Sequence, residues 1–312
     1  MFEINKIYYG NCINVLQTFP NKSINCCITS PPYYGLRDYG VSGQIGNEDT
    51  PEQYIENLVV VFDEVKRILK DDGVLWLNLG DSWAGSNQGA GTKNPTLKQV
   101  SNHGTNYMTA ERHKSKLSKL NGYKPKDLIG IPWMAAFALR EAGWYLRQDI
   151  IWAKGNPMPE SVKDRCTKSH EYIFLLTKSR KYYFDNESIK EPAVTQPKAR
   201  DKNKEGYQAN YSKGVRFSKG ERVYGADEMR NKRDVWNINT KPCKEAHFAT
   251  FPDTLIEPCV LAGCPEGGII LDPFMGAGTT GMVAKRNNRN YVGIELNPDY
   301  IQIAEKRINN MS

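Results

Sequence analysis

The 312-residue chain has no run of about 18 apolar residues, so nothing in it reads as a membrane-spanning helix. Its start, Met1-Phe2-Glu3-Ile4-Asn5-Lys6, lacks the basic-then-apolar order of a secretory signal. Its seven cysteines, at 12, 26, 27, 166, 243, 259 and 264, include no CxxC pair. An odd count without spacing argues against a disulfide framework and for a reduced, cytoplasmic protein. The same scatter argues against a tetrahedral zinc site, which needs clustered ligands. Net charge is modest too, at +7, but it is unevenly spread. Residues 91–127 hold seven Lys and one Arg against two acids, and residues 196–245 hold thirteen Lys or Arg against seven. The rest of the chain is mildly acidic. Two basic stretches on an acidic body are what a polyanion-binding surface requires.

Regular structure is legible between those stretches. Ile24-Asn25-Cys26-Cys27-Ile28-Thr29 reads as a buried strand ended by Pro31-Pro32. Apolar residues from Ile55 to Leu69 recur at helical spacing behind Pro51, and Asp71-Asp72-Gly73 stops that helix before a strand over 74–79. A helix over 131–142 and strands over 145–152 and 172–177 follow. The C-terminal part reads as helix 251–262, strand 269–271, helix 280–286, strand 291–295 and helix 298–309. This alternation predicts an α/β fold with a parallel sheet. Residues 81–126 and 186–241 show no such period and read as irregular segments.

Two loops carry the chemistry. Asp272-Pro273-Phe274-Met275-Gly276-Ala277-Gly278-Thr279-Thr280 joins a strand to a helix. Its glycines allow a tight turn and close approach to a ligand, and Thr279 is placed to cap the helix. Glu295, at the end of the next strand, is placed to bind ribose hydroxyls. There is no P-loop lysine, and Asp272 repels anions. A ligand with a ribose and a cationic end suits this loop better than ATP or NAD. The second loop, Ser30-Pro31-Pro32-Tyr33, offers the Ser30 hydroxyl and the Pro31 carbonyl as acceptors for an amino group, and Tyr33 as a ring for stacking.

In this order the two loops resemble those of the beta-class, circularly permuted DNA amino-methyltransferases, the N4-cytosine/N6-adenine family. Further matching segments are Tyr9-Gly10-Asn11-Cys12, Asn78-Leu79-Gly80-Asp81, Trp152-Ala153-Lys154-Gly155-Asn156-Pro157 and His247-Phe248-Ala249-Thr250-Phe251-Pro252. The family often has Asp where Asn11 stands. The resemblance implies a Rossmann-like fold and S-adenosylmethionine as cofactor. Residues Asp272, Pro273, Phe274, Gly276, Gly278, Thr279, Thr280 and Glu295 are then expected to bind it, with His247, Thr250 and Phe251 near the methionine tail. Ser30, Pro31, Pro32 and Tyr33 are implied as the catalytic set, and Trp152 and Lys154 as walls of the target-base pocket. No metal is implied.

The implied organisation is a catalytic part over 1–184, including a basic mobile loop over 83–127. A target-recognition region over 185–240 and a cofactor-binding part over 241–312 complete it. In the family, Ser at the first catalytic position favours cytosine N4, with adenine N6 as the alternative. RNA or protein-glutamine methylation, and a DNA-binding module without catalysis, stay open. Double-stranded DNA is the implied partner, which places the protein at the nucleoid. A cognate restriction endonuclease and the choice between monomer and homodimer stay open as well.

Overall fold

Each short apolar run ended by turn residues becomes a strand in the computed structural model, which describes residues 2–36, 43–85, 120–193, 229–241 and 251–310. In chain order the first elements are β1 (Lys6–Tyr9), α1 (Cys12–Leu16), β2 (Ile24–Thr29), α2 (Pro51–Ile68) and β3 (Leu69–Leu79). Next come α3 (Ile131–Glu141), β4 (Tyr145–Ala153), β5 (His170–Thr177), β6 (Glu191–Pro192), β7 (Met229–Arg230) and β8 (Val235–Asn237). The last are α4 (Asp253–Gly263), β9 (Ile269–Asp272), α5 (Thr279–Arg286), β10 (Asn290–Glu295) and α6 (Pro298–Asn309).

The chain divides into two compact units, Met1–Asp185 with Arg233–Ser312, and Asn186–Lys232. In the smaller unit β6 and β7 pair antiparallel, and Arg230 lies 3.0 Å from Glu191 across that pair. The larger unit holds an eight-stranded sheet in the order β1-β10-β9-β2-β3-β5-β4-β8. Strands β1, β10, β9, β2 and β3 are parallel. β5 runs antiparallel to both β3 and β4, so the sheet is mostly rather than entirely parallel. Side chains alternate across β3. Leu75, Leu77 and Leu79 join Phe174 and Leu176 in the core built with α2 and α3. Trp76 faces the other side, where a Cβ on Gly263 of α4 would collide with its indole nitrogen.

Two boundaries differ from expectation. β3 begins at Leu69, directly after α2, and Asp71-Asp72-Gly73 is taken up in an irregular pairing with β2 instead of standing as a turn. Val235–Asn237 is an edge strand beside β4, so the expected irregular segment ends earlier, and Trp236 within it is buried. No helix among the described residues is long and apolar enough to cross a membrane.

The feature that matters for function is the pairing of β2 with β9, Cys26 opposite Ile270 and Cys27 opposite Leu271. From β9 the chain crosses through α5 to β10 on one side, and from β2 through α2 to β3 on the other. The strand order therefore reverses between β9 and β2. In open α/β sheets a crevice forms at such a point, beyond the carboxyl ends of the strands.

Candidate active site

The carboxyl ends of β2 and β9 carry the two loops singled out in the sequence, and a hydrogen bond joins them. Thr29 Oγ1 donates to Asp272 at 2.6 Å, and Thr280 Oγ1 donates to the other Asp272 oxygen at 2.6 Å. The Phe274 amide adds a third donor at 3.1 Å. Asp272 is fully buried, and that burial pushes its carboxyl up to about 6 against the pull of the three donors.

Beside this clamp opens a cavity of about 310 Å³, the size of a small-ligand site. Ser30, Pro31, Pro32 and Tyr33 line one part of it. Asp272, Pro273, Phe274, Gly276, Thr279 and Glu295 line another, together with Phe251. Trp152 and Lys154 complete the wall. Gly278 and Thr280 stand behind the lining. Thr280 is buried beneath Asp272. Gly278 holds a left-handed φ of 77° at the start of α5, and a Cβ there would lie 2.7 Å from that of Ala304. The N-cap of α5 is Gly278 itself, so Thr279 does not cap the helix as expected; it faces the cavity. His247 and Thr250 lie outside the described residues, as do most of the 83–127 loop and the aromatics Tyr207, Tyr211, Phe217 and Tyr224.

Glu295 is held from below. Its oxygens accept from the amides of Gly276 and Asn297, each at 2.8 Å, which leaves lone pairs for a ligand. Burial raises its pKa above the ordinary carboxylate value. Asn11, at the end of β1, caps α1 by accepting from the Ile13 amide at 3.0 Å, and it lines the same cavity.

On the other side, Tyr54 of α2 donates to the Pro32 carbonyl at 2.9 Å and braces the proline turn. Tyr33 Oη lies 2.6 Å from Glu171 Oε2, 3.2 Å from Asn78 Oδ1 and 3.5 Å from Ser30 Oγ. Burial, and next the Glu171 carboxylate, push the Tyr33 phenol well above its ordinary range. Lys154 forms an ion pair with Glu171 and sits 4.3 Å over the Trp152 ring. Trp152 is buried and donates its indole N–H to the Ile238 carbonyl at 2.8 Å. The Lys154 ammonium thus covers one face of the Trp152 ring. Asn78, already singled out, reaches Glu171 and the Tyr172 carbonyl. Asp81 does not line the cavity; its carboxylate accepts from the Gly130 and Ile131 amides at the start of α3.

Glu171 escapes a sequence reading because it precedes the apolar run of β5. Its place in the site comes only from the pairing of β5 with β3 and β4, which no local pattern reveals.

Gly80 follows Asn78 and makes room for the Tyr33 ring. A Cβ there would lie 2.6 Å from Tyr33 Cε2 and 3.1 Å from Cδ2. Gly80→Ala is therefore expected to displace Tyr33 and cut turnover by about 10²-fold, since ångström-scale misplacement of a positioning group costs that much. Kinetics at saturating ligands, with a thermal melt to confirm folding, check this.

A family model described as DNA methylase matches residues 24–306. The Type II methyltransferase M.Cfr9I of Citrobacter freundii is 46% identical over 305 residues, covering 97% of this chain and 87% of that protein. M.SmaI of Serratia marcescens, also a Type II methyltransferase, is 47% identical over 303 residues, covering 97% and 90%. Among solved structures, the PvuII DNA methyltransferase (cytosine-N4-specific) superposes with a TM-score of 0.64 at 18% identity, covering 100% of this chain and 89% of that one. The M1.HpyAVI–SAM complex gives 0.54 at 17% identity, covering 97% and 98%. The structural matches bear out the Rossmann-like α/β methyltransferase sheet.

Proposed function

Because the chain belongs to the N6/N4 DNA methylase family, we propose that it transfers methyl groups from S-adenosylmethionine to the exocyclic N4 of cytosine flipped out of duplex DNA. The observation that carries this reading is the Thr29–Asp272 bond, which puts the amino-group clamp and the cofactor loop on one cavity.

The cavity's donors and walls suit the cofactor. Asp272 offers a buried carboxylate to a cationic group, and Glu295 offers lone pairs to ribose hydroxyls. Phe274, Ile294 and Leu296 supply apolar wall, and Gly276, with φ 50°, lets the backbone come close. His247 and Thr250, outside the described residues, belong to the segment that the family resemblance assigns to the methionine tail. S-adenosylmethionine, when bound, supplies an electrophilic methyl group.

The chain's own work is done at the nitrogen. Ser30 Oγ and the Pro31 carbonyl accept the two amino hydrogens, drawing the nitrogen out of conjugation and dispersing the charge that develops. Among the described residues nothing donates to the Pro31 carbonyl, while Tyr54 holds the carbonyl after it. Tyr33 and Trp152 wall the extruded base. The segment 185–240 and the basic stretches supply the DNA-recognition surface in this reading, through phosphate contacts that position the duplex.

Nucleoside mass spectrometry of unmethylated DNA incubated with enzyme and S-adenosylmethionine tests the proposal. N4-methylcytosine is the expected product. N6-methyladenine would overturn the base assignment that rests on Ser30, and absence of either would overturn DNA methylation itself.

A further inference from the structure

A nitrogen that gains a methyl group must shed a proton, and the cavity holds a path for it. We propose that this proton leaves through Ser30 and Tyr33 to Glu171, an inference that rests on the amino-methylation reading above. Among the described residues three carboxylates line the cavity: Asp272, Glu295 and Glu171. The first is held by two threonine hydroxyls and the second by two backbone amides. Asp81, nearby in sequence to Asn78, is committed to the start of α3. Glu171 alone of the three accepts from a side chain of the Ser30-to-Tyr33 loop itself, the Tyr33 hydroxyl.

The chain of hydrogen bonds has a direction. Ser30 Oγ donates to Tyr33 Oη at 3.5 Å, and Tyr33 donates to Glu171 Oε2 at 2.6 Å. With its own hydrogen turned toward Tyr33, Ser30 presents lone pairs to the amino group. Asn78 Nδ2, 3.3 Å from the same Oε2, and the Lys154 ammonium hold the carboxylate in place. Catalytic hydrogen bonds such as the Ser30–Tyr33 link tighten once substrate arrives.

The step balances. The N–H bond breaks and its electron pair stays on nitrogen as the lone pair. Ser30 Oγ takes that proton and passes its own to Tyr33 Oη, and Tyr33 passes its own to Glu171. Ser30 and Tyr33 each end with one hydrogen, and Glu171 ends neutral. The positive charge of the sulfonium donor thus leaves as a proton, which Glu171 returns to solvent before the next turnover. A methylated, protonated amino group on a heteroaromatic ring is a far stronger acid than a carboxylic acid. The raised phenol pKa keeps Tyr33 protonated at rest, as a relay requires. Glu171 does not touch the base; it acts through Tyr33 as a positioning residue and terminal acceptor.

Glu171→Gln keeps the shape of the side chain and removes its proton affinity. Single-turnover methyl transfer at saturating cofactor and DNA is expected to fall by about 10²-fold, the lower range for lost general-base catalysis. The Kd for S-adenosylmethionine and the fluorescence rise of 2-aminopurine at the target position, which reports flipping, are expected to stay at wild-type values. Tyr33→Phe should lose as much, and the double variant should be no slower than the slower single, because both break one path. Glu171→Asp should recover part of the rate. Wild-type turnover in E171Q, or losses that multiply in the double variant, would overturn the relay. If the wild-type enzyme itself yields no methylated nucleoside, the methylation reading fails and the relay falls with it.

Discussion

Ser30→Ala combined with Tyr33→Ala is expected to lower the single-turnover methyl-transfer rate by about 10³–10⁴-fold, more than loss of one charge-stabilising contact alone. The Kd for S-adenosylmethionine should change little. The reason lies in how the two loops are built. Asp272, Phe274, Gly276 and Glu295 are held by Thr29, Thr280 and backbone amides, none of which needs Ser30 or Tyr33. On the function proposed here, the double substitution removes one acceptor for the amino group and one wall of the base pocket, while the Thr29–Asp272 bond persists. Rapid-quench transfer of a labelled methyl group gives the rate, and calorimetric titration gives the affinity. A parallel loss of both would show that the two loops fold as one unit and would remove the distinction drawn between them.

Asp272→Asn is expected to act in opposite directions on stability and on binding. The buried carboxyl has a pKa of about 6 against an ordinary 3.8, so the folded state holds its proton more tightly than the unfolded chain. The stability tied to that proton is fully present below pH 3.8 and is lost as pH rises through about 6. Over that window the unliganded wild type should lose about 3 kcal/mol from this group, at 1.36 kcal/mol for each pKa unit. The asparagine variant lacks this loss and should be the more stable protein at pH 8. Its affinity for S-adenosylmethionine should nonetheless fall by about 10- to 100-fold, because a charge-assisted contact contributes about 1.5–3 kcal/mol. Wild-type affinity should rise with pH up to about 6 and then level off, a rise missing from D272N. Urea unfolding from about pH 3.5 to 8 and ligand titration across about pH 5–8 check both arms. A D272N protein that binds as well as wild type would show that Asp272 serves only to join Thr29 to Thr280.

Much of this arrangement is readable in the residues alone. The strand ending in Thr29 and the strand ending in Asp272 are short, apolar and followed by Pro or Gly, so both loops stand out. Pro51 and Thr50 mark the start of α2, and Pro298 and Asn297 mark the start of α6. The direction of β5 is not readable, because alternation of side chains has no polarity along the chain. Nor is the extension of β3 back to Leu69, where sheet pairing overrides the turn preference of Asp71-Asp72-Gly73. Glu171 is the more instructive omission. A charged residue beside an apolar run looks like a strand end meeting solvent, and only the pairing of β5 with β3 and β4 carries it to Asn78 and Lys154. Long-range partners of this kind leave no local trace.

The pairing of β2 with β9 also has a consequence for how the protein comes to exist. β2 is synthesised long before β9, yet the two are neighbours in the sheet, some 240 residues apart in the chain. Contacts of such separation are slow to form, because the intervening chain must be closed into a loop before the pairing is rewarded. On the ribosome, residues 24–29 therefore wait with one edge unpaired until residues 269–272 emerge. No partially made chain can hold the clamp against the cofactor loop. Activity then arrives only after Ile269–Asp272 has joined the sheet, and a nascent chain stalled before Ile269 leaves an exposed strand edge, an opening for aggregation or for a chaperone.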